Sequence, residues 1–302
     1  MLRQAENKVK IEGILSEINL DYKSYSKDGK TVEAIGGSIK IKTNQKINGE
    51  NRELDIPVQM FAQKLTIKGS SNPAYEAIER VMKEFKSIAA VGEDEADKIR
   101  ITNGQIVMNE YYPAGSDRLV SFPRIQASFI TKVKASEYKP EATYTTEFVV
   151  GSISPEIDKE GIETGRMIVK AIIPQYGGRV DVVPMITINE NVANAISEYW
   201  EQGMSVHAIG RLLFSQKTET TTIESGFGEP EEKVNTINVS ELLITGGNNE
   251  PLSGEFEFDT DEVQAALAER KARLEASKAK SAAQVSTRAT PAAKKTGFDP
   301  GF

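Results

Sequence analysis

Ile11-Glu12-Gly13-Ile14-Leu15-Ser16-Glu17-Ile18 is echoed, with one inserted residue, by Val149-Val150-Gly151-Ser152-Ile153-Ser154-Pro155-Glu156-Ile157. Such a repeat constrains the fold more than any composition does, because both copies have to build the same run of elements. After each copy comes an alternating run, Ser38-Ile39-Lys40-Ile41-Lys42 in the first half and Met167-Ile168-Val169-Lys170 in the second, and the period of two marks both as strands. Third strands follow at Leu54 to Phe61 and Val180 to Ile186. Each carries a proline, Pro57 or Pro184, which cannot donate to a ladder and so suggests an edge or a bulge.

A helix comes next in both halves. Asn72-Pro73 opens one over Ala74 to Phe85, with Ala77, Ile78, Val81 and Phe85 on one stripe; Asn189 opens another over Glu190 to Trp200, with Val192, Ile196 and Tyr199. Two strands close each unit: Lys98 to Tyr111 and Leu119 to Lys134, then Ser205 to Gln216 and Val234 to Thr245. Three strands, a helix and two strands is the order of the OB-fold, a small barrel that binds oligonucleotides or sugars on its strand 2–3 face. The expected fold is mostly β: two tandem OB-like five-stranded β-barrels, each with one helix between strands 3 and 4, plus a C-terminal helix and a disordered tail. Two unrelated five-stranded barrels are the alternative.

The expected division is 1–140 for the first barrel, 141–250 for the second and 251–302 for a helix and flexible tail. The helix begins at Asp259, Asp261 and Glu262, runs to about Lys280, and gives way to a disordered stretch from Ser281 to Ala293. The net charge is −7, but its distribution matters more than its sum. Residues 1–140 hold 22 Lys+Arg against 19 Asp+Glu, residues 141–250 hold 7 against 17, and residues 251–302 balance at 8 each. Contacts with a polyanion should therefore lean on the mildly basic first half rather than the acidic second.

The chain has no cysteine and one histidine, His207, so thiol chemistry, disulfides and cysteine-containing zinc sites are excluded. Neither a basic-then-apolar leader nor eighteen consecutive apolar residues occurs, and the expectation is a cytoplasmic protein without membrane contact. The acidic run Glu93-Asp94-Glu95-Asp97 is the one candidate for metal or acid–base work; it lies between a helix and a strand with no histidine nearby and reads as a solvated loop. No phosphate-cradling glycine loop is present. No cofactor, no metal and no catalytic residue is expected.

Proteins that hold a single strand without reading its sequence combine a basic groove with aromatic platforms. Ile56, Val58 and Met60 share the core face of the third strand, which leaves Phe61 on the polar face. Leu119, Ile125, Ala127 and Phe129 share the core parity of the fifth, which leaves Phe122 and Arg124 outward. Lys40 and Lys42 share the outer face of the second strand, and Tyr22, Lys23, Tyr25, Lys27 and Lys30 interleave in what reads as the preceding loop. Tyr111 and Tyr112 end the fourth strand before a loop carrying Arg118. The second barrel offers Arg166, Lys170, Tyr176, Arg179 and Phe214 around a Gly177-Gly178 turn. These positions also have bland readings: solvated lysines, tyrosines capping a barrel, an ordinary hairpin, a phenylalanine under a loop. Trp200 and His207 read as structural.

Asn7-Lys8-Val9-Lys10-Ile11-Glu12-Gly13-Ile14-Leu15 resembles the Asn-x-Val-x-Ile-x-Gly-x-Leu opening strand of OB-fold single-stranded DNA-binding proteins. Gly203-Met204-Ser205-Val206-His207-Ala208-Ile209-Gly210-Arg211-Leu212 looks like the Gly-x-x-Val-x-x-x-Gly-Arg-Leu run of their fourth strand. With the low-complexity tail, the arrangement is similar to a phage-type member of that family with two barrels in tandem. The resemblance implies sequence-independent coating of single-stranded DNA in replication, recombination or repair, by a monomer or small homo-oligomer. It also implies recruitment of replication or recombination proteins through the C-terminal tip, Phe298, Asp299 and Phe302, although the tip lacks the family's run of acids. The rival expectation is a virion or assembly protein built from the same barrels.

Overall fold

The computed structural model describes residues 2–223 and 231–288, and of residues 27, 216–223, 231–238 and 283–288 the backbone alone. The first barrel consists of β1 (Asn7–Lys27), β2 (Lys30–Ile47), β3 (Glu50–Gln63), α1 (Pro73–Glu84), a single turn α2 (Ile88–Val91), β4 (Lys98–Tyr111) and β5 (Val120–Gln126). Hydrogen-bonded neighbours run β1-β2-β3-β5-β4, and β4 returns to β1 through Ile11↔Ile101, closing the barrel. After a two-residue strand β6 (Thr131–Lys132), the second barrel repeats the order with β7 (Glu141–Ile157), β8 (Glu163–Pro174), β9 (Val180–Thr187), α3 (Glu190–Tyr199), β10 (Ser205–Ile223) and β11 (Glu231–Gly247). It closes as β7-β8-β9-β11-β10-β7. In both barrels the third and fifth strands meet in parallel, at Val58↔Ile125 and Leu243↔Ile186. That is the OB barrel.

Local chemistry explains the elements. Asp28-Gly29 and Asn48-Gly49 take positive φ at both positions, 51° and 73°, then 50° and 85°, the primed turn that matches the twist of a tight hairpin. Asn72 and Asn189 cap their helices by accepting the amides of Ala74 and Val192, each at 3.1 Å. On β3 the even positions Leu54, Ile56, Val58 and Met60 are buried and the odd ones are not, as the period of two requires.

The barrels share their first strands. Asn7↔Thr146 through Glu12↔Glu141 pair β1 with β7, so one apolar cluster runs through both cores, from Ile39, Ile56 and Ile125 to Phe148, Val183 and Leu212. Asn7 extends this join. Its buried side-chain amide donates to the Ile106 carbonyl at 2.8 Å and accepts the Ile106 amide at 3.0 Å, bridging β1 to β4 one step beyond their ladder. The tip of the β2–β3 hairpin reaches across to the second barrel, where Ile47 packs with Ile188 and Leu243 and Asn48 donates to the Ile188 carbonyl at 3.0 Å.

A long helix, α4 (Thr260–Arg288), ties the two barrels from outside. It buries Val263 and Ala266 beside Phe258; further on, Arg270 forms a bidentate pair with Glu110 on β4, and the Ser281 hydroxyl donates to the Pro113 carbonyl at 2.6 Å. The helix therefore does not stop near Lys280: its alanine-rich end continues through Ser281, which is buried on the β4–β5 loop. Residues 289–302 lie outside the described residues.

Glu12 fastens the crossing between the barrels. Its carboxylate accepts Arg100 Nε and the Lys139 amide, both at 2.6 Å, against the segment that links β6 to β7. Burial alone pushes this carboxyl up, but the Arg100 and Lys139 donors outweigh it, and the group sits below the usual carboxylate range. A lowered folded value means stability that is complete above the unfolded value and lost as pH falls through the folded one. Glu12→Gln should therefore lose about 2 kcal/mol near pH 7, a fall in melting temperature of about 5 °C for a chain this long, and melt like the parent at a pH below the lowered folded value. An equal difference at both pH values, read by thermal denaturation, would exclude the ionic role.

Candidate functional site

The outer face of the first barrel is built by register. Residues opposite one another on adjacent strands share a face, so Lys23, Ala34 and Gln63 form one row, Asp21, Gly36 and Phe61 the next, then Asn19, Ser38 and Gln59, then Glu17, Lys40 and Pro57. Phe61 is 44% exposed, as its parity predicts. A Cβ on Gly36 would come within 2.8 Å of Phe61 Cδ2, so the missing side chain is what lets the ring lie against β2. Beside it Gln63 Nε2 donates to the Tyr25 hydroxyl at 2.7 Å.

A second aromatic pair stands on the β4–β5 hairpin. Tyr111 pairs with Val120 and Phe122 with Asn109, which makes Tyr111 and Phe122 diagonal neighbours on one face. Phe122 is also 44% exposed. Arg124 follows on the same side, half-buried, its Nε without a hydrogen-bond acceptor among the described residues. The pairing Gln59↔Gln126 puts Phe61 and Phe122 six residues apart along parallel strands, roughly 20 Å. The two phenylalanines are thus the ends of one face rather than a single sandwich.

Several sequence expectations need correction. Tyr22, Lys23, Tyr25, Lys27 and Lys30 are not in a loop; they form a two-stranded arm in which β1 and β2 stay paired to Lys27↔Lys30. Alternation then separates the tyrosines. Tyr25 stays with the outer face, while Tyr22 turns to the helix side and donates to Glu79 at 2.7 Å. Lys23 and Lys30 are exposed, and Lys27 is described by its backbone alone. Phe129 is 57% exposed rather than core, because β5 ends at Gln126 once the Ala127 amide has bonded Gln59, and the parity ends with it. Tyr112 faces away from Tyr111, with Lys278 of α4 at 6.0 Å from its ring centre, and Arg118 stays exposed in the loop.

Charge is also spent within the protein. Lys40 is held by Glu17 at 2.9 Å, and Lys42 by Glu93 at 3.1 Å and Glu53 at 3.5 Å. Asp97, the other end of the acidic run, pairs with Lys132 at 2.7 Å. In the second barrel the expected cluster does not assemble. Tyr176 (84% exposed) and Arg179 flank the Gly177-Gly178 turn, whereas Arg166 lies at the far end of β8, bound to Glu156 and Glu241, and Lys170 stands between. Phe214 is buried on β10. Trp200 is buried against Phe148, ring centres 5.7 Å apart and edge-on, and donates Nε1 to the Asn248 carbonyl. Phe298, Asp299 and Phe302 lie outside the described residues. Gly36 and Gln63 were missed in the sequence; a glycine inside a strand opposite an aromatic is the signal that marks such a site.

Two OB barrels in tandem, fused through their first strands and strapped by one helix, define the class of protein. The chain belongs to the YorF family, whose model matches residues 5–280. Two solved structures of the single-stranded DNA binding protein from Thermus aquaticus, the wild type and a deletion mutant, are similar to it in fold at a TM-score of 0.50 and 12% identity. Both cover 83% of this chain, and the chain covers 96% of the wild type and 97% of the mutant. No curated protein sequence matches the chain. Among the described residues no helix is long and apolar enough to cross a membrane.

Proposed function

We propose that this protein binds single-stranded DNA without reading its sequence, coating the strand during replication or recombination rather than catalysing a reaction on it. The observation that carries the reading is the outer face of the first barrel, where Phe61, backed by Gly36, and the Tyr111–Phe122 pair present rings to solvent from strand faces. Bases stack on such rings whatever their identity, which is why the face suits a strand of any sequence. Arg124, Lys23 and Lys30, none of them in an ion pair among the described residues, supply charge for phosphates. The fold likeness to a protein that binds single-stranded DNA points the same way.

The test is fluorescence anisotropy of a labelled oligo-dT strand and of the same-length duplex, at low and moderate salt. The expected result is tight binding to the single strand alone, weakening as salt rises because phosphate contacts release counterions. Binding to neither, or equal binding to both, would overturn the reading.

A further inference from the structure

Beyond the aromatic face, the structure carries a cationic path that crosses from one barrel to the other. The outer positions of β2 are Lys40, Lys42, Asn44 and Lys46, and this stripe runs down the hairpin that reaches over the second barrel. At its end Arg211 of β10 donates to the Lys46 carbonyl. There the shared sheet sets Lys8, Thr145 and Ile209 in one row and Lys10, Thr143 and Arg211 in the next, all facing outward. Two adjoining open depressions, of about 680 and 500 Å³, both lined by Thr143 and Arg211, make one groove along the seam.

Charge and chemistry in this groove differ from the rest of the second half. Lys10, Lys46 and Arg211 have no carboxylate partner among the described residues; Lys8 pairs with Glu6 at 3.3 Å, and Glu141 accepts the Thr143 hydroxyl at 2.7 Å. The remaining lining is mostly threonine and side-chain amide, with Pro140, Gly210 and the buried Tyr144, and one exposed large apolar side chain, Ile209. Four cations against two carboxylates, spaced along a trough otherwise lined largely by hydroxyls and amides, suit a polyanionic backbone, with the apolar side chain able to meet a base or sugar.

We infer that a single strand leaving the aromatic face follows β2 onto the seam, with Lys46, Lys10 and Arg211 as its phosphate contacts between the barrels. This rests on the function proposed above. It gives the acidic second barrel a route for nucleic acid on which cations outnumber carboxylates, and it sets a binding site longer than one barrel.

The test compares oligo-dT of about 8 nucleotides, within the reach of one barrel, with oligo-dT of about 30, which spans both. Lys10→Gln with Lys46→Gln removes two of the cations and breaks no side-chain interaction among the described residues. Two lost single-strand contacts lower the slope of log affinity against log salt by about 1.4, or roughly twentyfold in affinity at 0.1 M salt. That loss is expected for the long strand only, with the short one bound as by the parent and the melting curve unchanged. An unaltered long-strand slope, or an equal loss on both lengths, overturns the path. Failure of the parent to bind either oligonucleotide would instead remove the function it rests on.

Discussion

Phe61→Ala together with Phe122→Ala is expected to weaken binding of an oligo-dT strand by at least about thirtyfold, with no change in the melting curve. Each base stacked on an aromatic ring contributes about 1–3 kcal/mol, so two platforms contribute about 2–6 kcal/mol even before any coupling between them. Both rings are 44% exposed and lie outside the core, so removing them opens no cavity. The single variants separate the two ends of the face. If one strand runs across both, each should lose about tenfold on an oligonucleotide long enough to reach, whereas a shorter one should sense only one of them. Parent-like affinity in the double variant would exclude this face as the place where bases stack.

The largest effect on folding is expected at Gly210. A Cβ there would be driven into the Tyr144 ring and against the Leu243 carbonyl. Neither neighbour can yield cheaply. Tyr144 is fully buried, and Leu243 is paired with Arg211 in the β10–β11 ladder. Gly210→Val should cost about 3 kcal/mol or more, the top of the usual range for overpacking, and lower the melting temperature by roughly 10 °C. Gly246→Ala is the control, because the added carbon would stop 3.5 Å from Ile209, an ordinary contact. Equal melting of the two variants would show that the ring and strand can move apart. The glycine of the Gly-Arg-Leu run thus has a physical reason: β10 has to pass directly over a buried tyrosine.

The consequence for the family resemblance is that its motif residues are structural at one position and outward at the next. Asn7 is a side-chain rung between strands and Gly210 is clearance for a ring, while Arg211 projects into the seam groove. A short pattern therefore carries both the fold and a surface. The sequence pattern does not separate the two.

What the amino-acid sequence determined by itself is whatever depends on neighbours along the chain. The period of two put Ile56, Val58 and Met60 inside and Phe61 outside, and put Phe122 and Arg124 outward with Ile125 inside; asparagine marked both helix starts; and the repeat gave the strand order of both barrels. The parity argument failed at both ends of β5, at Phe129 beyond its last residue and at Leu119 before its first, since a bulge or an end is decided by the partner strand. Tertiary structure alone decided the rest. The pairing of β1 with β7, the insertion of Ile47 into the second barrel and the reach of α4 to Ser281 join residues more than a hundred positions apart or depend on surfaces that exist only once both barrels have closed. The same holds for charge. Lys40 and Lys42 look like free cations in sequence, yet Glu17 and Glu93 reach them across strands and loops, while Lys10, Lys46 and Arg211, scattered in sequence, are brought to one groove. Which cations stay unpaired is set by distances between chain segments, and those distances are fixed by the fold rather than by local pattern.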